Sequence, residues 1–225
     1  CSAEVFNSLP YAAVSVSGVT ATDDVDNSCN ATTNTNTRRG VWFRYDATSS
    51  GGVIANETSG NDTVMAVFTG PDCNSLTEVA CNDSADGIGF QAVSGQSYWI
   101  IVGMWSASTV PTLPYALTFD SLAIPANDTC ANAETIISGN TVSVDARTAG
   151  SDSPAATCAP AGTAFGNRHG VWYTFSTGAD AGVMAFNETG SSSVLFQVFS
   201  GADCNALTPE AVSYTHLRAH ETLRY

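Results

Sequence analysis

The chain has 225 residues and 44% of them are apolar, enough to bury a core, which excludes a disordered segment. Its formal net charge is −14 and all seven basic residues are arginines, so the acidic surface repels phosphate and excludes nucleic-acid binding and a basic membrane-surface helix. No apolar run is long enough to predict a membrane-spanning helix.

Short runs rich in Val, Phe, Tyr and Trp alternate with clusters of Gly, Asn, Asp and Ser, a pattern typical of an all-β fold. About eight short strands in the first half of the chain predict two packed antiparallel sheets, a jelly-roll-like sandwich. The predicted strands are Ala13–Thr20, Val41–Tyr45, Gly52–Asn56, Thr63–Thr69, Thr77–Cys81, Ile88–Val93, Ser97–Val102 and Tyr115–Phe119.

Two of these strands are apolar on both faces. Val64, Ala66 and Phe68 share one face of their strand, and Met65 lies on the other. The run Tyr98–Val102 has apolar residues throughout. It predicts a central strand with one face in the core and the other covered by a loop or a neighbouring domain.

The chain contains two copies of one module. Gly40–Tyr45 recurs as Gly170–Phe175, and Phe68–Thr77 recurs as Phe199–Thr208, at offsets of 130 and 131. A period of this size suits whole domains in tandem rather than solenoid repeats. We expect a first copy at residues 1–120, a short linker at 121–126, and a second, incomplete copy at 127–211.

The second copy lacks a counterpart of Cys81–Phe119 and therefore three strands of the sandwich. A sandwich without them exposes sheet edges and much of its core. We expect the second copy to be marginally stable or misfolded as an isolated fragment. The linker contains Pro125 and is short, which predicts two domains in a semi-rigid row.

The last fourteen residues, Val212–Tyr225, break the repeat. They contain His216 and His220 and resemble a translated sequencing adaptor. We expect the natural sequence to end near Ala211 and exclude these histidines from functional reasoning, although a divergent native tail is the alternative.

The cysteines follow the repeat. The second copy has Val212 at the position where Cys81 would recur. This missing cysteine explains why the chain has an odd number of cysteines, seven. Disulfides indicate an oxidising, extracellular compartment, and no C-x-x-C spacing favours a metal site. An N-terminal cysteine also fits an acylated lipoprotein, but the repeat accounts for it. Sequence alone does not fix connectivity, and we predict the pairs Cys1–Cys29, Cys73–Cys81 and Cys130–Cys158, with Cys204 unpaired.

Nucleophilic catalysis needs a base beside a Ser or Cys. His169 is the one histidine before the tail, and its counterpart in the first copy is Arg39. A surface position explains His169 better than a site present in one copy, so we predict that the chain is not an enzyme.

Two acidic loops are candidate Ca²⁺ sites, because carboxylate and amide oxygens are the ligands that Ca²⁺ prefers. The spacing is not that of an EF-hand, and a solvated turn rich in Asp and Asn is the alternative. The candidate ligands are Asn82, Asp83 and Asp86 in one loop and Asp23, Asp24 and Asp26 in the other.

Two further sets of residues are candidates for interaction with carbohydrate, one for binding a sugar and one for carrying a glycan. Trp105, in a predicted loop, is placed to stack on a sugar ring or to fold back over the end of the sandwich. Asn-x-Ser/Thr triplets mark candidate glycosylation sites. They begin at Asn30, Asn56, Asn61, Asn82, Asn127 and Asn187, of which Asn56 and Asn187 are matched positions of the repeat.

Several motifs recur in a known class of module. They are Asn127-Asp128-x-Cys130-x-x-Ala133, Gly170–Phe175, Val67–Leu76, Val79–Asp83, Tyr98–Gly103 and Tyr115–Phe119. Together they resemble the β-sandwich modules similar to bacterial pre-peptidase C-terminal domains. The resemblance implies an accessory, non-catalytic part of a secreted or cell-surface bacterial protein.

Three functions follow as hypotheses. The first is an extracellular structural or interaction module of a surface array, adhesin stalk or fibre, with neighbouring copies, other surface proteins or polysaccharide as partners. The second is a substrate- or carbohydrate-binding accessory region of a secreted hydrolase whose catalytic domain lies outside this fragment. The third makes the first copy itself an enzyme that depends on Asp83 and Asp86.

Overall fold

The computed structural model describes residues 2–16, 21, 39–83, 87–104, 111–150, 170–176 and 195–214. The chain divides into two compact units. The first unit is Cys1–Pro125 together with Val144–Gly150, and the second is Ala126–Ser143 together with Ser151–Tyr225. In the described ranges, no helix has the length and apolar character needed to cross a membrane.

The described residues of the first unit form nine strands. They are β1 Glu4–Phe6, β2 Tyr11–Val16, β3 Val41–Asp46, β4 Gly51–Glu57, β5 Thr63–Thr69, β6 Thr77–Asn82, β7 Ile88–Ala92, β8 Ser97–Met104 and β9 Tyr115–Leu122.

These strands form two sheets, and the prediction of an all-β sandwich is confirmed. One sheet has five strands in the order β1-β3-β8-β5-β6, and the other has four in the order β2-β9-β4-β7. Neighbouring strands are antiparallel, except that β1 runs parallel to β3. The predicted central strand, β8, lies between β3 and β5.

The core lies between the two sheets, because alternate residues of each strand point to the same side. Phe43, Ile100 and Val102 come from the five-stranded sheet, and Phe90 and Phe119 come from the four-stranded one, all fully buried. Burial of side chains of this size stabilises the fold by about 1.5–3 kcal/mol each.

The outer face of the five-stranded sheet carries a second apolar cluster. Its buried members are Trp42, Ala66, Phe68, Trp99 and Ile101. The side chains of Ala3, Cys73, Leu76 and Cys81 pack against it. The strand Tyr98–Val102 therefore has one face in the core and one face covered, as its sequence predicts.

Some strand limits differ from the prediction. The second strand begins and ends earlier, at Tyr11 and Val16, and β9 continues to Leu122 because Ser121 and Leu122 pair with Val53 and Gly52. The sequence reasoning missed β1, which has only three residues and no alternation to detect.

The second unit contains two described strand pairs. Glu134–Thr135 (β10) runs parallel to Tyr173–Thr174 (β11), and Leu195–Ser200 (β12) forms a hairpin with Thr208–Tyr214 (β13). A 3-10 helix at Cys130–Asn132 precedes β10. Strand β13 extends three residues beyond Ala211, where we expect the natural sequence to end.

Candidate functional site

A cleft of about 370 Å³ opens at one end of the first sandwich. It lies where β3 leads into β4 and where β9 ends. Its lining comes from Leu9, Tyr45, the run from Ser49 to Val53, and the run from Ser121 to Ile124. A cleft of this volume, at the small end of the range for ligand pockets, accommodates one small ligand or one unit of a polymer.

Backbone hydrogen bonds hold the turn between β3 and β4 against the turn between β7 and β8. The amide of Ala47 donates to the carbonyl of Gln96 at 2.9 Å, and the amide of Gly95 donates to the carbonyl of Ala47 at 2.7 Å. The Ser94 hydroxyl donates to the carbonyl of Thr48 at 3.0 Å, and the Ser94 amide donates to the Ser50 hydroxyl at the same distance. This side of the cleft is thereby preorganised.

The cleft combines an apolar floor with a rim of hydroxyls. Tyr45 and Val53 are buried at its base, and Ser49 and Ser121 are exposed beside it. The Tyr45 hydroxyl is neutral at physiological pH, and burial, with a smaller effect of Tyr98, raises its pKa further. No acidic, basic or histidine side chain is among the lining residues. Such a surface suits an uncharged ligand that combines hydroxyls with apolar faces.

The sequence reasoning missed this cleft. Its hydroxyls come from Ser49, Ser50 and Ser121, and serine and glycine in a loop indicate a turn without indicating a site. The run Ser-Ser-Gly-Gly at 49–52 was a local signal, but its juxtaposition with the end of β9 depends on long-range pairing.

Two of the candidate Ca²⁺ ligands, Asn82 and Asp83, lie in the described residues. Asp83 is exposed, and the side-chain amide of Asn82 donates a short hydrogen bond to the carbonyl of Gly87, which closes the loop. In the described residues no three His, Cys, Asp or Glu side chains come together as metal ligands. The other candidate ligands, Asp86, Asp23, Asp24 and Asp26, lie outside the described residues, so Ca²⁺ binding stays a prediction.

One candidate glycosylation site is almost fully buried. Asn127 is only 4% exposed, and its side-chain nitrogen, the atom that would carry a glycan, donates to the carbonyl of Trp172 at 3.0 Å. This nitrogen is therefore poorly accessible in the folded chain, and glycosylation at Asn127 stays a prediction. The amide instead ties the start of the second copy to the segment before β11.

The other described sequons are partly buried. The Asn61 side-chain nitrogen donates to the Ser59 hydroxyl at 2.6 Å and to the carbonyl of Leu113 at 3.0 Å. The Asn56 side-chain oxygen lies against Gly87, where a Cβ would approach it to 2.3 Å. Glycosylation at Asn56, Asn61 and Asn82 stays a prediction, and Asn30 and Asn187 lie outside the described residues.

The disulfide prediction for the second copy is wrong. Cys130 is bonded to Cys204, with their Cα atoms 5.9 Å apart. The predicted pair of Cys130 with Cys158 and the predicted orphan Cys204 are therefore both excluded. Proximity in sequence misled the assignment, because the fold joins cysteines 74 positions apart. Cys73 and Cys81 are disulfide-bonded, and the pairing in the first copy stays a prediction.

The remaining candidates lie outside the described residues: Trp105, His169, His216, His220, Cys1, Cys29 and Cys158. Arg39, the repeat counterpart of His169, is described. Its backbone has a φ of 57°, in the left-handed region, and its carbonyl accepts a hydrogen bond from the Tyr115 hydroxyl at 3.2 Å. In the first copy this position thus anchors a core tyrosine.

Comparison with known proteins identifies a family. A family model described as galactose-binding-domain-like and T9SS-associated (type IX secretion system) matches residues 3–113 and 126–212. The match falls in two tandem segments, one in each copy of the repeat. No curated protein and no solved structure matches the chain. The resemblance to pre-peptidase C-terminal modules therefore holds at the level of secreted bacterial β-sandwich modules, and the family that matches is a different one.

Proposed function

Because the chain belongs to the T9SS-associated galactose-binding-domain-like family, we propose that it is a non-catalytic extracellular module with a structural or interaction role in a secreted or cell-surface protein. The observation that carries this proposal is the tandem match, one segment in each copy of the repeat. Repetition of a module without its own active site is typical of arrays, stalks and fibres, whose partners are neighbouring copies or other surface components.

The construction of the first sandwich supports a structural role. Both faces of the five-stranded sheet are covered by apolar clusters, and the disulfide-bonded Cys73 and Cys81 pack against the outer one. Disulfides persist in oxidising compartments, which agrees with the association of the family with secretion. A sandwich stabilised in this way keeps its shape outside the cell.

Turnover assays test the non-catalytic part of this proposal. The oxidised full chain is incubated with casein and with chromogenic glycosides and esters, and we expect no turnover above a heat-denatured control. Turnover that copurifies with the chain and is lost in the double variant Asp83→Ala, Asp86→Ala would contradict it. That result would establish the enzyme hypothesis instead.

A second candidate function is binding of a neutral carbohydrate in the cleft, as an accessory region of a secreted hydrolase. The neutral, hydroxyl-rimmed lining around Tyr45 and Ser121 favours it, as does the description of the family. Sugars present hydroxyls and apolar faces together, and such a lining matches both.

Affinity electrophoresis in gels that contain a neutral galactan tests this candidate. The variant Ser121→Trp would fill the cleft from an exposed position on β9, and we expect it to abolish retardation. The matched control is Leu113→Trp, at a position 53% exposed before the other end of β9. Equal retardation of both variants would exclude the cleft as the binding site.

A further inference from the structure

The outer face of the four-stranded sheet is covered by a segment that the repeat assigns to the second copy. Val144–Gly150 belongs to the first compact unit, although the residues on either side of it belong to the second. We name this segment the strap. Thr148 and Ala149 of the strap are 0% and 1% exposed, whereas the five residues before Ala146 are exposed.

Two hydrogen bonds attach the strap to the sheet. The Thr148 hydroxyl donates to the carbonyl of Ala123 at 2.8 Å. The Gln91 side-chain amide on β7 donates to the carbonyl of Thr148 at 3.1 Å. Within the strap, the amide of Ala149 donates to the carbonyl of Ala146 at 2.9 Å, so the docked residues form a turn. The hydroxyl and the carbonyl of the buried Thr148 thus both have a hydrogen-bond partner, as burial requires.

Two glycines of the sheet make room for the strap. A Cβ on Gly89 would lie 2.0 Å from the carbonyl oxygen of Arg147, and its three nearest neighbours all belong to Arg147. A Cβ on Gly52 would lie 2.9 Å from the Thr148 side chain and 2.2 Å from the carbonyl of Leu122. Neither glycine has a positive φ, so contact rather than backbone conformation explains their small size.

We propose that this face is an interaction surface for the following copy of the module, whose strap docks on Gly89, Gly52 and Gln91 and ties consecutive copies together. The inference rests on the proposed role in a tandem array, and it names the neighbouring copy as the partner.

Docking is compatible with a complete second copy. At an offset of 129 or 130, the docking residues Arg147–Ala149 align with positions that follow Val16, the last residue of β2. The counterpart of β2 itself lies before them, and its residues up to Asp145 are exposed here. A copy that has all its strands can therefore use one stretch for its own sheet and the next stretch as a strap.

The test is trypsin cleavage after Arg147 in the oxidised full chain, compared between Gly89→Ala and the matched control Gly51→Ala. Gly51 lies on β4, and a Cβ there meets nothing within 4 Å. We expect Gly89→Ala to accelerate this cleavage by roughly tenfold or more, because local release exposes the bond. Hydrogen exchange in β8 stays unchanged. Equal cleavage rates in both variants would overturn the proposal.

A second variant, in the strap itself, keeps the proposal testable if Gly89→Ala disrupts the sheet. Thr148→Glu buries a carboxylate at a fully buried position and leaves the sheet sequence intact. We expect faster hydrogen exchange over residues 144–150 and over β7, with β8 unchanged. Unchanged exchange in the strap would overturn the proposal. None of these measurements depends on turnover or on a carbohydrate, so they fail or succeed independently of the proposed function.

Discussion

The two copies share one hairpin and differ in what surrounds it. The amide of Asn74 donates to the Asp72 carboxylate at 2.8 Å, and the amide of Asn205 donates to the Asp203 carboxylate at the same distance. In both hairpins the pairing shifts register at the corresponding place, after Val67 and after Val198.

The aromatic pair beside the hairpin also recurs. The ring centroids of Trp42 and Phe68 are 6.0 Å apart, and those of Trp172 and Phe199 are 5.8 Å apart. Phe68 is 4% exposed, whereas Phe199 is only partly buried. Local sequence therefore suffices for the hairpin and the ring contact, and in the first copy the pairing of β5 with the central strand β8 accounts for the burial of the ring.

The largest expected effect is a difference in the free energy of unfolding between the variants Phe68→Ala and Phe199→Ala. Phe68 is buried in a packed cluster, so its truncation should lower the free energy of unfolding by about 3–5 kcal/mol. The same change at the partly buried Phe199 should cost less than about 2 kcal/mol. Urea unfolding of the full chain, followed by tryptophan fluorescence, measures both. Equal losses would show that the second copy buries this ring as completely as the first.

The next prediction concerns whether the cysteines of the first copy pair in the same way as those of the second. The repeat carries the observed Cys130–Cys204 pair onto Cys1 and Cys73, which leaves Cys29 for Cys81. Ala3 and Cys73 already pack on one cluster, which places the start of the chain close to the hairpin loop. Peptide mapping of the unreduced chain should recover these two cross-links. Recovery of Cys1–Cys29 and Cys73–Cys81 would show that the copies differ in connectivity.

Removal of the described disulfide has a defined cost. Cys204→Ser opens a loop that closes across 74 positions, and it should destabilise the second unit by about 2–4 kcal/mol. The control is Ser200→Ala, a nearby exposed position. We expect faster hydrogen exchange in the second unit alone, and no change there would mean that the bond contributes little to its stability.

A pH dependence is expected from the first copy, because it buries Tyr115 in its core. Burial, reinforced by the nearby Glu57 carboxylate, raises the pKa of Tyr115 from 10.0 to about 12. The folded state therefore favours the neutral phenol, and its contribution is complete below pH 10 and is lost as pH rises to about 12. The loss is on the order of 2–3 kcal/mol. Tyr115→Phe should reduce this slope, and an unchanged slope would contradict the assignment.

The smallest expected effect concerns an ion pair of the first copy. Arg44 contacts Asp46 at 2.8 Å and lies 5.5 Å from the centre of the Trp99 ring, whereas the counterparts Thr174 and Ser176 are uncharged. Both charged side chains are about one third exposed, so Arg44→Met should cost less than about 1 kcal/mol. Thermal melts at low and high salt measure it, and a larger loss would show that the pair is more shielded from water.

The contribution of the Arg44–Asp46 ion pair to stability also depends on pH. The hydrogen bond from Arg44, against desolvation, lowers the pKa of Asp46 below 3.8. Its contribution is therefore present above that pH and is lost as pH falls through the lowered pKa.

Sequence patterns predicted the sandwich because its strands alternate locally. Strand Thr63–Thr69 was predicted with its observed limits, and Tyr98–Val102 was placed correctly at the centre of a sheet. Such features follow from side-chain alternation and from turn residues, both of which are local.

Features that depend on contacts between residues distant in sequence were not predicted, because no local pattern marks them. The strap residues Arg147–Ala149 are small or polar, and the residues on which they dock, Gly52, Gly89 and Gln91, are distant from them in sequence. The Cys130–Cys204 bond likewise joins two segments that are 74 positions apart in sequence. The cleft combines a turn after Tyr45 with the end of β9.

Hydrogen exchange of the matched strands β5 and β12 in the oxidised full chain is the most direct test of the difference between the copies. We predict that amides of Val64–Phe68 exchange roughly 100-fold or more slowly than those at the repeat positions in Leu195–Phe199. The reason is that β5 lies beside the central strand β8 in a closed core, whereas in the described residues β12 pairs with β13 alone. Equal protection of the two strands would contradict the account and would mean that the second copy forms a core of its own.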